Sequence, residues 1–278
     1  MASQLIMYKT DGEGSKSFSA FKAKEKLYKY YAEKQTDFSQ CIDLKCIDND
    51  LKIEKFKMIH PHTGKEVQGF KFPKPSGLII LKQYTDPRLQ LELCRKAINE
   101  YHRRPHRTNL YIYDKEETIP DDDADKAKLV KHDAKDYNRD HYMVSDNARY
   151  HFNLIILWSN LGRQYNWDKR DYFIKASPIL PELNDIALEV IDLLQLGKFR
   201  PEALIVNYYG WRNFMGGHLD DGEPDQQHPI VSLSFGLSCV FLIGGLTKDV
   251  DPYAVRLDSG DIMIMSEDSR RCFHGMCD

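Results

Sequence analysis

Three residues in the sequence have types and spacing that could hold a metal ion: His218, Asp220 and His274. In a strand, residues i and i+2 point to the same face, so His218 and Asp220 can aim two ligand atoms at one point. His274 follows after several more short strands and can return beside them. Two imidazoles and one carboxylate on one side of a metal leave the remaining positions open. That is the ligand set of non-haem Fe(II) oxygenases, whose open positions take a co-substrate and O2. By itself the His-x-Asp pair is a weak signal. It reads equally well as a surface histidine beside an acidic loop formed by Asp220, Asp221, Glu223 and Asp225.

Such side chains need a framework that brings distant strands together. From residue 203 onward, short apolar runs follow one another: ALIVNYY, IVSLSF, SCVFLIGG, YAVRL and DIMIMS, punctuated by Gly, Pro and Asp. That rhythm predicts an antiparallel sandwich or jelly roll rather than a βαβ fold. Upstream, Phe18, Phe21, Tyr28 and Tyr31 predict an amphipathic helix over 18–34. Residues 36–76, with Pro61, Pro73 and Pro75, read as a segment that wraps the domain. GLIIL at 77–81 predicts a buried strand. A helix is expected over 86–101, with Pro87 in its first turn and Leu89, Leu93, Ala97 and Tyr101 on one face. Residues 102–150 are polar and weakly periodic, a loop long enough to suggest function or mobility. NLIILW at 153–158 predicts a strand running into the aromatic hairpin LGRQYNWDKRDYF. A helix over 181–196 would bury Leu183, Ile186, Val190 and Leu194, with Gly197 capping its end. The expected division is an N-terminal helix and wrapping segment at 1–76, followed by the main domain at 77–278.

Composition narrows the classes. Hydrophobic residues make up 42% of the 278 and charged residues 29%, as in ordinary globular proteins. No apolar run approaches the roughly 18 residues of a membrane span, and none follows a basic N-terminus, so membrane and secreted classes are not expected. The six cysteines show no CxxC spacing and read as free thiols in a reducing compartment. A formal net charge of −3 gives nothing global to attract nucleic acid, but charge is uneven. Six lysines lie among the aromatics of residues 16–34, and residues 101–107 read Tyr-His-Arg-Arg-Pro-His-Arg. Arg103, Arg104 and Arg107 are candidate phosphate contacts, or simply a solvated face.

The segments LGRQYNWDKRDY, VNYYGWRNFMGGHLDDGEPD, SLSFGLSCVFLIGGL and LDSGDIMIMSEDSRRCFH together resemble the AlkB family of Fe(II)- and 2-oxoglutarate-dependent dioxygenases, and within it the first animal AlkB homologue. The likeness covers residues 154–274 and extends more faintly through GLIIL to the N-terminal helix. It implies an α+β fold with a double-stranded β-helix (jelly roll) core and N-terminal helices packed on it. It implies that His218, Asp220 and His274 bind Fe(II), and that Asn207 and Tyr209 bind the carboxylates of 2-oxoglutarate. Arg163, Tyr165 and Trp167 would line a base pocket, although a packed hairpin aromatic pair explains Tyr165 and Trp167 as well. The implied activity is oxidative demethylation of N-methylated adenine or cytosine in DNA or tRNA, consuming O2 and 2-oxoglutarate and releasing succinate, CO2 and formaldehyde. A paired base cannot reach a buried metal, so single-stranded, looped or bulged DNA or RNA is the expected partner.

In this family an arginine on the final strand, beyond the distal histidine, pairs with the far carboxylate of 2-oxoglutarate. Arg270 and Arg271 precede His274 and do not match that position. The expectation is therefore that the last strand is missing and the domain incomplete at its C-terminus, with inactivity of this chain alone as a consequence. A fragment of an active enzyme and a relic without catalysis both fit, and a protein-directed hydroxylase on the same scaffold is a further alternative. A monomer is expected, in the nucleus or mitochondrion or in the cytoplasm.

Overall fold

The computed structural model describes residues 18–29, 36–47, 51–103, 105–108, 158–166, 171–210 and 213–277. In chain order the first described elements are α1 (Ala20–Tyr28), β1 (Glu54–Ile59), β2 (Glu66–Lys71), β3 (Leu78–Leu81), α2 (Pro87–Asn99) and β4 (Arg107–Thr108). They are followed by β5 (Trp158–Asn166), β6 (Asp171–Ala176), α3 (Pro181–Leu193), β7 (Ala203–Asn207) and β8 (Met215–His218). The last are β9 (Ile230–Leu233), β10 (Cys239–Ile243), β11 (Tyr253–Leu257), β12 (Ile262–Met265), a 3-10 turn at Ser269–Arg271, and β13 (His274–Cys277). They form two compact units, one of residues 1–94 and 212–278, the other of residues 95–211.

The first unit is a sandwich of two antiparallel sheets, in the orders β1-β2-β3-β12-β9 and β11-β10-β13-β8. Its core joins Phe70, Leu78, Ile80, Met263 and Met265 of one sheet to Phe241, Ile243, Val255 and Leu257 of the other. Each such side chain contributes roughly 1.5–3 kcal/mol by leaving water. Strand side chains alternate, so Val240 and Leu242 of β10 face the other way. They are buried nonetheless, because Phe21 and Tyr28 of α1 cover them together with Ala254 and Cys277. This explains why β10 is apolar without alternation in the sequence. The antiparallel jelly-roll expectation holds.

Two upstream expectations are corrected. The helix predicted over 18–34 ends at Tyr28, where Lys29 turns extended and closes the last turn on Glu25 O. The start is fixed by Ser19, whose Oγ accepts from the Lys22 amide at 3.3 Å. The wrapping segment contains a hairpin: β1 and β2 pair in register from Glu54↔Lys71 to Ile59↔Glu66, and β2 continues onto β3. The signal was the turn PHTGK, in which Gly64 takes φ +65°. The Phe56 ring lies over Gly69, in the space that a Cβ there would occupy.

In the second unit β5 pairs with β4, β6 and β7. The expected hairpin is present, with Tyr165 opposite Tyr172 along the backbone. The strand predicted at 153–158 lies mostly outside the described residues, as do residues 109–150 of the predicted long loop. α3 buries Leu183, Ala187, Val190 and Ile191, and ends at Leu193 rather than at 196. Its stop differs from the one expected. Gln195 already takes a left-handed φ of +55°, and the Leu196 amide donates back to Ile191 O at 3.0 Å, while Gly197, the expected cap, has φ +91° two residues further on.

Candidate metal centre

β8 reads Met-Gly-Gly-His, and its two glycines explain how a helix approaches a ligand strand so closely. A Cβ on Gly217 would lie 2.5 Å from the Phe21 ring. α1 therefore rests directly on the backbone before His218. Among the described residues β8 lies at the edge of its sheet, paired with β13, and an edge strand leaves main-chain groups to be satisfied otherwise. Glu25, 4% exposed, accepts the Gly217 amide at 2.5 Å and also pairs with Lys22. A buried carboxylate from the helix thus takes the place of a neighbouring strand.

On the other side, β13 begins at His274, directly opposite His218 in the β8–β13 register. The two rings lie 4.4 Å apart, centroid to centroid. His218 Nδ1 is 3.0 Å from Gly216 O, and His274 Nδ1 is 3.1 Å from Cys272 O. A carbonyl only accepts, so each Nδ1 carries a proton; Nε2 is then the nitrogen that can either donate to Asp220 when protonated or give its lone pair to a metal. Both Nε2 atoms point to Asp220, at 3.5 Å from Oδ1 for His218 and 3.3 Å from Oδ2 for His274. One ligand atom from each residue lies within 4.8 Å of the others. Adjacent ligands about 2.1 Å from one metal sit about 3 Å apart, so the cluster fits an ion with little movement.

The electrostatics agree. Burial by itself would raise the Asp220 carboxyl, but hydrogen bonds and charge from both imidazoles hold it well below the usual carboxylate range. Desolvation pulls His218 down, and Asp220 more than offsets it, so its pKa lies above the ordinary histidine value. The three side chains together favour a positive charge between them.

The structure corrects one part of the strand argument. His218 is the last residue of β8, so Asp220 lies in the loop beyond it and is not aimed by strand alternation. What holds it was not anticipated. Arg270, 2% exposed, donates from Nη1 to Asp220 O at 2.6 Å, and reaches His228 O and Glu223 as well. Each of its three guanidinium nitrogens thereby donates to this loop. The position of Arg270 four residues before His274 was visible in the sequence, but its burial was not.

The other candidates belong to the second unit. Asn207 ends β7, paired with Trp158, and is exposed, as is Tyr209 at 41%. Tyr208 between them donates to Ala97 O at 3.0 Å and contacts Ser159 Oγ, and its burial pushes the phenol up to about 12. Tyr208 is thus an anchor. Arg163 on β5 pairs with Glu202 at 3.2 Å. Tyr165 is placed by its backbone only, and Trp167 and Arg104 lie outside the described residues. Arg103 is exposed, and Arg107 pairs along the backbone with Asn160.

A jelly-roll sandwich with two histidines and an aspartate converging at the meeting of β8 and β13 defines a class, the metal-dependent oxygenases of this fold. The family pattern of the 2OG-Fe(II) oxygenase superfamily matches residues 77–277. The chain belongs to that superfamily, and within it to the AlkB-related dioxygenases. It is similar to the DNA N(6)-methyladenine demethylase ALKBH1A of Arabidopsis thaliana, at 31% identity over 93% of this chain and 84% of that protein. It is also similar to the tRNA demethylase abh1 of Schizosaccharomyces pombe, at 30% identity over the same shares of both chains. The nucleic acid dioxygenase ALKBH1 of Homo sapiens matches at 40% identity over 43% of this chain and 31% of its own length. The protein is thus an Fe(II)- and 2-oxoglutarate-dependent dioxygenase, with Fe(II), 2-oxoglutarate and O2 as its cofactor set. Among the described residues no helix is long and apolar enough to cross a membrane.

Proposed function

We propose that the protein removes methyl groups oxidatively from N-methylated adenine or cytosine in DNA or tRNA. The observation that carries this reading is the convergence of His218, Asp220 and His274 in a chain that matches most of two nucleic-acid demethylases. In it, the three residues hold Fe(II) through two Nε2 atoms and one carboxylate oxygen. Asn207 and Tyr209 hold the carboxylates of 2-oxoglutarate, while Arg163, Tyr165 and Trp167 receive the base. Arg103, Arg104 and Arg107 meet the phosphates.

When bound, Fe(II) with 2-oxoglutarate and O2 supplies the oxidation of the methyl carbon. One oxygen atom enters succinate and the other the methyl group, which leaves as formaldehyde while CO2 is released. The chain contributes placement. The two Nδ1–carbonyl bonds fix the ring tautomers, and the Asp220 carboxylate stays ionised, so no proton competes for its oxygens. A nuclear, mitochondrial or cytoplasmic location and a monomeric state without a membrane partner accompany this reading.

The test is formaldehyde release from single-stranded oligonucleotides carrying N-methylated adenine or cytosine, with Fe(II) and 2-oxoglutarate supplied. Product from a methylated base, lost in Asp220→Ala, supports the reading. Turnover of methylated peptides but of no methylated base would reassign the substrate to protein.

A further inference from the structure

We propose that Arg270 is a positioning residue for the metal centre, holding from within the first unit the loop that carries Asp220. The proposal rests on the reading of His218, Asp220 and His274 as metal ligands. β8 ends at His218 and β9 begins at Ile230, so Asp220 stands in a connection with no ladder of its own. That connection is mostly at the surface and carries Asp220, Asp221, Glu223 and Asp225, which repel one another. Within the loop, Asp225 accepts the Gln227 amide at 2.8 Å and pairs with His228 at 2.8 Å, a local turn that does not reach Asp220.

Arg270 grips this loop at its start, middle and end. Nη1 donates to Asp220 O at 2.6 Å, Nη2 to Glu223 Oε2 at 3.0 Å, and Nε to His228 O at 3.2 Å. Two of these acceptors are main-chain carbonyls, so the contact fixes the path of the backbone and not only its charge. The arginine is itself anchored. It sits in the 3-10 turn Ser269–Arg271, where its amide donates to Ser266 O at 3.2 Å. The Ser269 amide donates to Ser76 O at 2.9 Å, and Ser269 Oγ donates to Ser266 O at 2.6 Å. Because the same turn leads through Cys272 into His274, one rigid element sets both the second histidine and the aspartate.

A planar fork with donors in three directions suits three divergent acceptors, and a lysine ammonium at the end of a flexible stem does not. Charge and geometry therefore make different predictions for Arg270→Lys. If Arg270 only neutralises the acidic loop, lysine replaces it. If it positions Asp220, lysine fails.

The experiment titrates the metal-free full chain with Mn(II) and follows the free Mn(II) signal by electron paramagnetic resonance, with melting curves in parallel. The parent should bind one ion and Asp220→Ala none. Arg270→Lys and Arg270→Met should bind about 10- to 100-fold more weakly while still melting cooperatively, as for partners that orient metal ligands. Glu223→Gln keeps both carbonyl contacts and should lose less than either. An Arg270→Lys protein that binds Mn(II) as tightly as the parent overturns the proposal. A parent that binds no Mn(II) overturns the metal reading and the proposal with it. Should the Arg270 variants not fold, hydrogen exchange on the metal-free parent decides. Slow exchange in residues 221–228 before Mn(II) is added is the expected result. Exchange at free-peptide rates until the metal arrives would mean that the ion, not Arg270, orders the loop.

Discussion

His218 and His274 face each other across the β8–β13 pair, and each commits Nδ1 to a carbonyl two residues before it. The same local device is used twice, on two strands that run in opposite directions. It turns Nε2 of both rings toward the Asp220 carboxylate, so the backbone orients the rings and Asp220 faces the nitrogens that would meet a metal. The proposed co-substrate residues use a different local rule. β7 ends at Asn207, and beyond it Tyr208 is anchored on Ala97 O, with Asn207 and Tyr209 on either side of it exposed. If they hold the carboxylates of 2-oxoglutarate, Asn207→Ala and Tyr209→Phe should each weaken its binding by roughly 1–3 kcal/mol, the cost of an unpaired buried carboxylate oxygen. Oligonucleotide affinity should change little. Separate titrations of 2-oxoglutarate and oligonucleotide check this, and an equal loss for both would show general damage to β7 instead.

At the scale of elements, the turn between β11 and β12 shows how the sandwich is fastened. Asp258 receives Ser238 Oγ at 2.7 Å and ion pairs from Lys45 and Lys82, and its neighbour Asp261 accepts the Asp258 and Gln83 amides. Burial alone would raise Asp258, but these partners hold its carboxyl well below the usual range. A folded pKa below the unfolded value adds stability that is fully present above about pH 4 and is lost as pH falls through the folded value. Asp258→Asn should therefore lower the melting temperature near neutrality and flatten its fall below about pH 4. Melting curves from pH 2 to 7 test this, and an acid limb as steep as the parent's would remove Asp258 from the account. The lysine that completes this cluster, Lys82, lies far away in the sequence, and no local pattern pairs it with an aspartate. The same limit explains what else was and was not legible. β3, β10 and β12 were readable because unbroken apolar runs mark strands covered on both faces, and β11 because Arg256 alone interrupts its apolar run. The β1–β2 hairpin was hidden by its lysines, which occupy exposed positions, and α1 by aromatic spacing that continues past its true end. The three candidate metal ligands and their convergence were readable as residue types, whereas the loop position of Asp220 and its hold by Arg270 depend on tertiary packing that spacing does not encode.

For the whole molecule, the first unit is assembled from both ends of the chain, through the β3–β12 pair and the bridge between Ile42 and Val255. Contacts of such sequence separation make folding slow. Charge also acts at this scale. With a net −3, the chain as a whole repels a polyanion, so any hold on nucleic acid must come from local groups such as the arginines at 103–107. A few phosphate contacts give a shallow salt dependence, with a slope near −0.7 per contact for single strands. A base within a duplex must also be unstacked, at a cost of a few kcal/mol, before its methyl group can reach a metal held by His218, Asp220 and His274. If Tyr165 and Trp167 stack the extruded base, at about 1–3 kcal/mol per base, they would offset that cost only in part. Methylated single strands, bulges and loops should accordingly be turned over faster than a perfect duplex of the same sequence. Trp167→Ala should slow all of them, and raising salt should weaken binding less in a variant with alanine at Arg103, Arg104 and Arg107 than in the parent. Formaldehyde release from matched single-stranded, bulged and duplex substrates, measured at several salt concentrations, tests the three expectations together. A preference for duplex, or turnover indifferent to Trp167, would count against base extrusion, and an unchanged salt slope in the triple variant would move the phosphate contacts elsewhere on the surface.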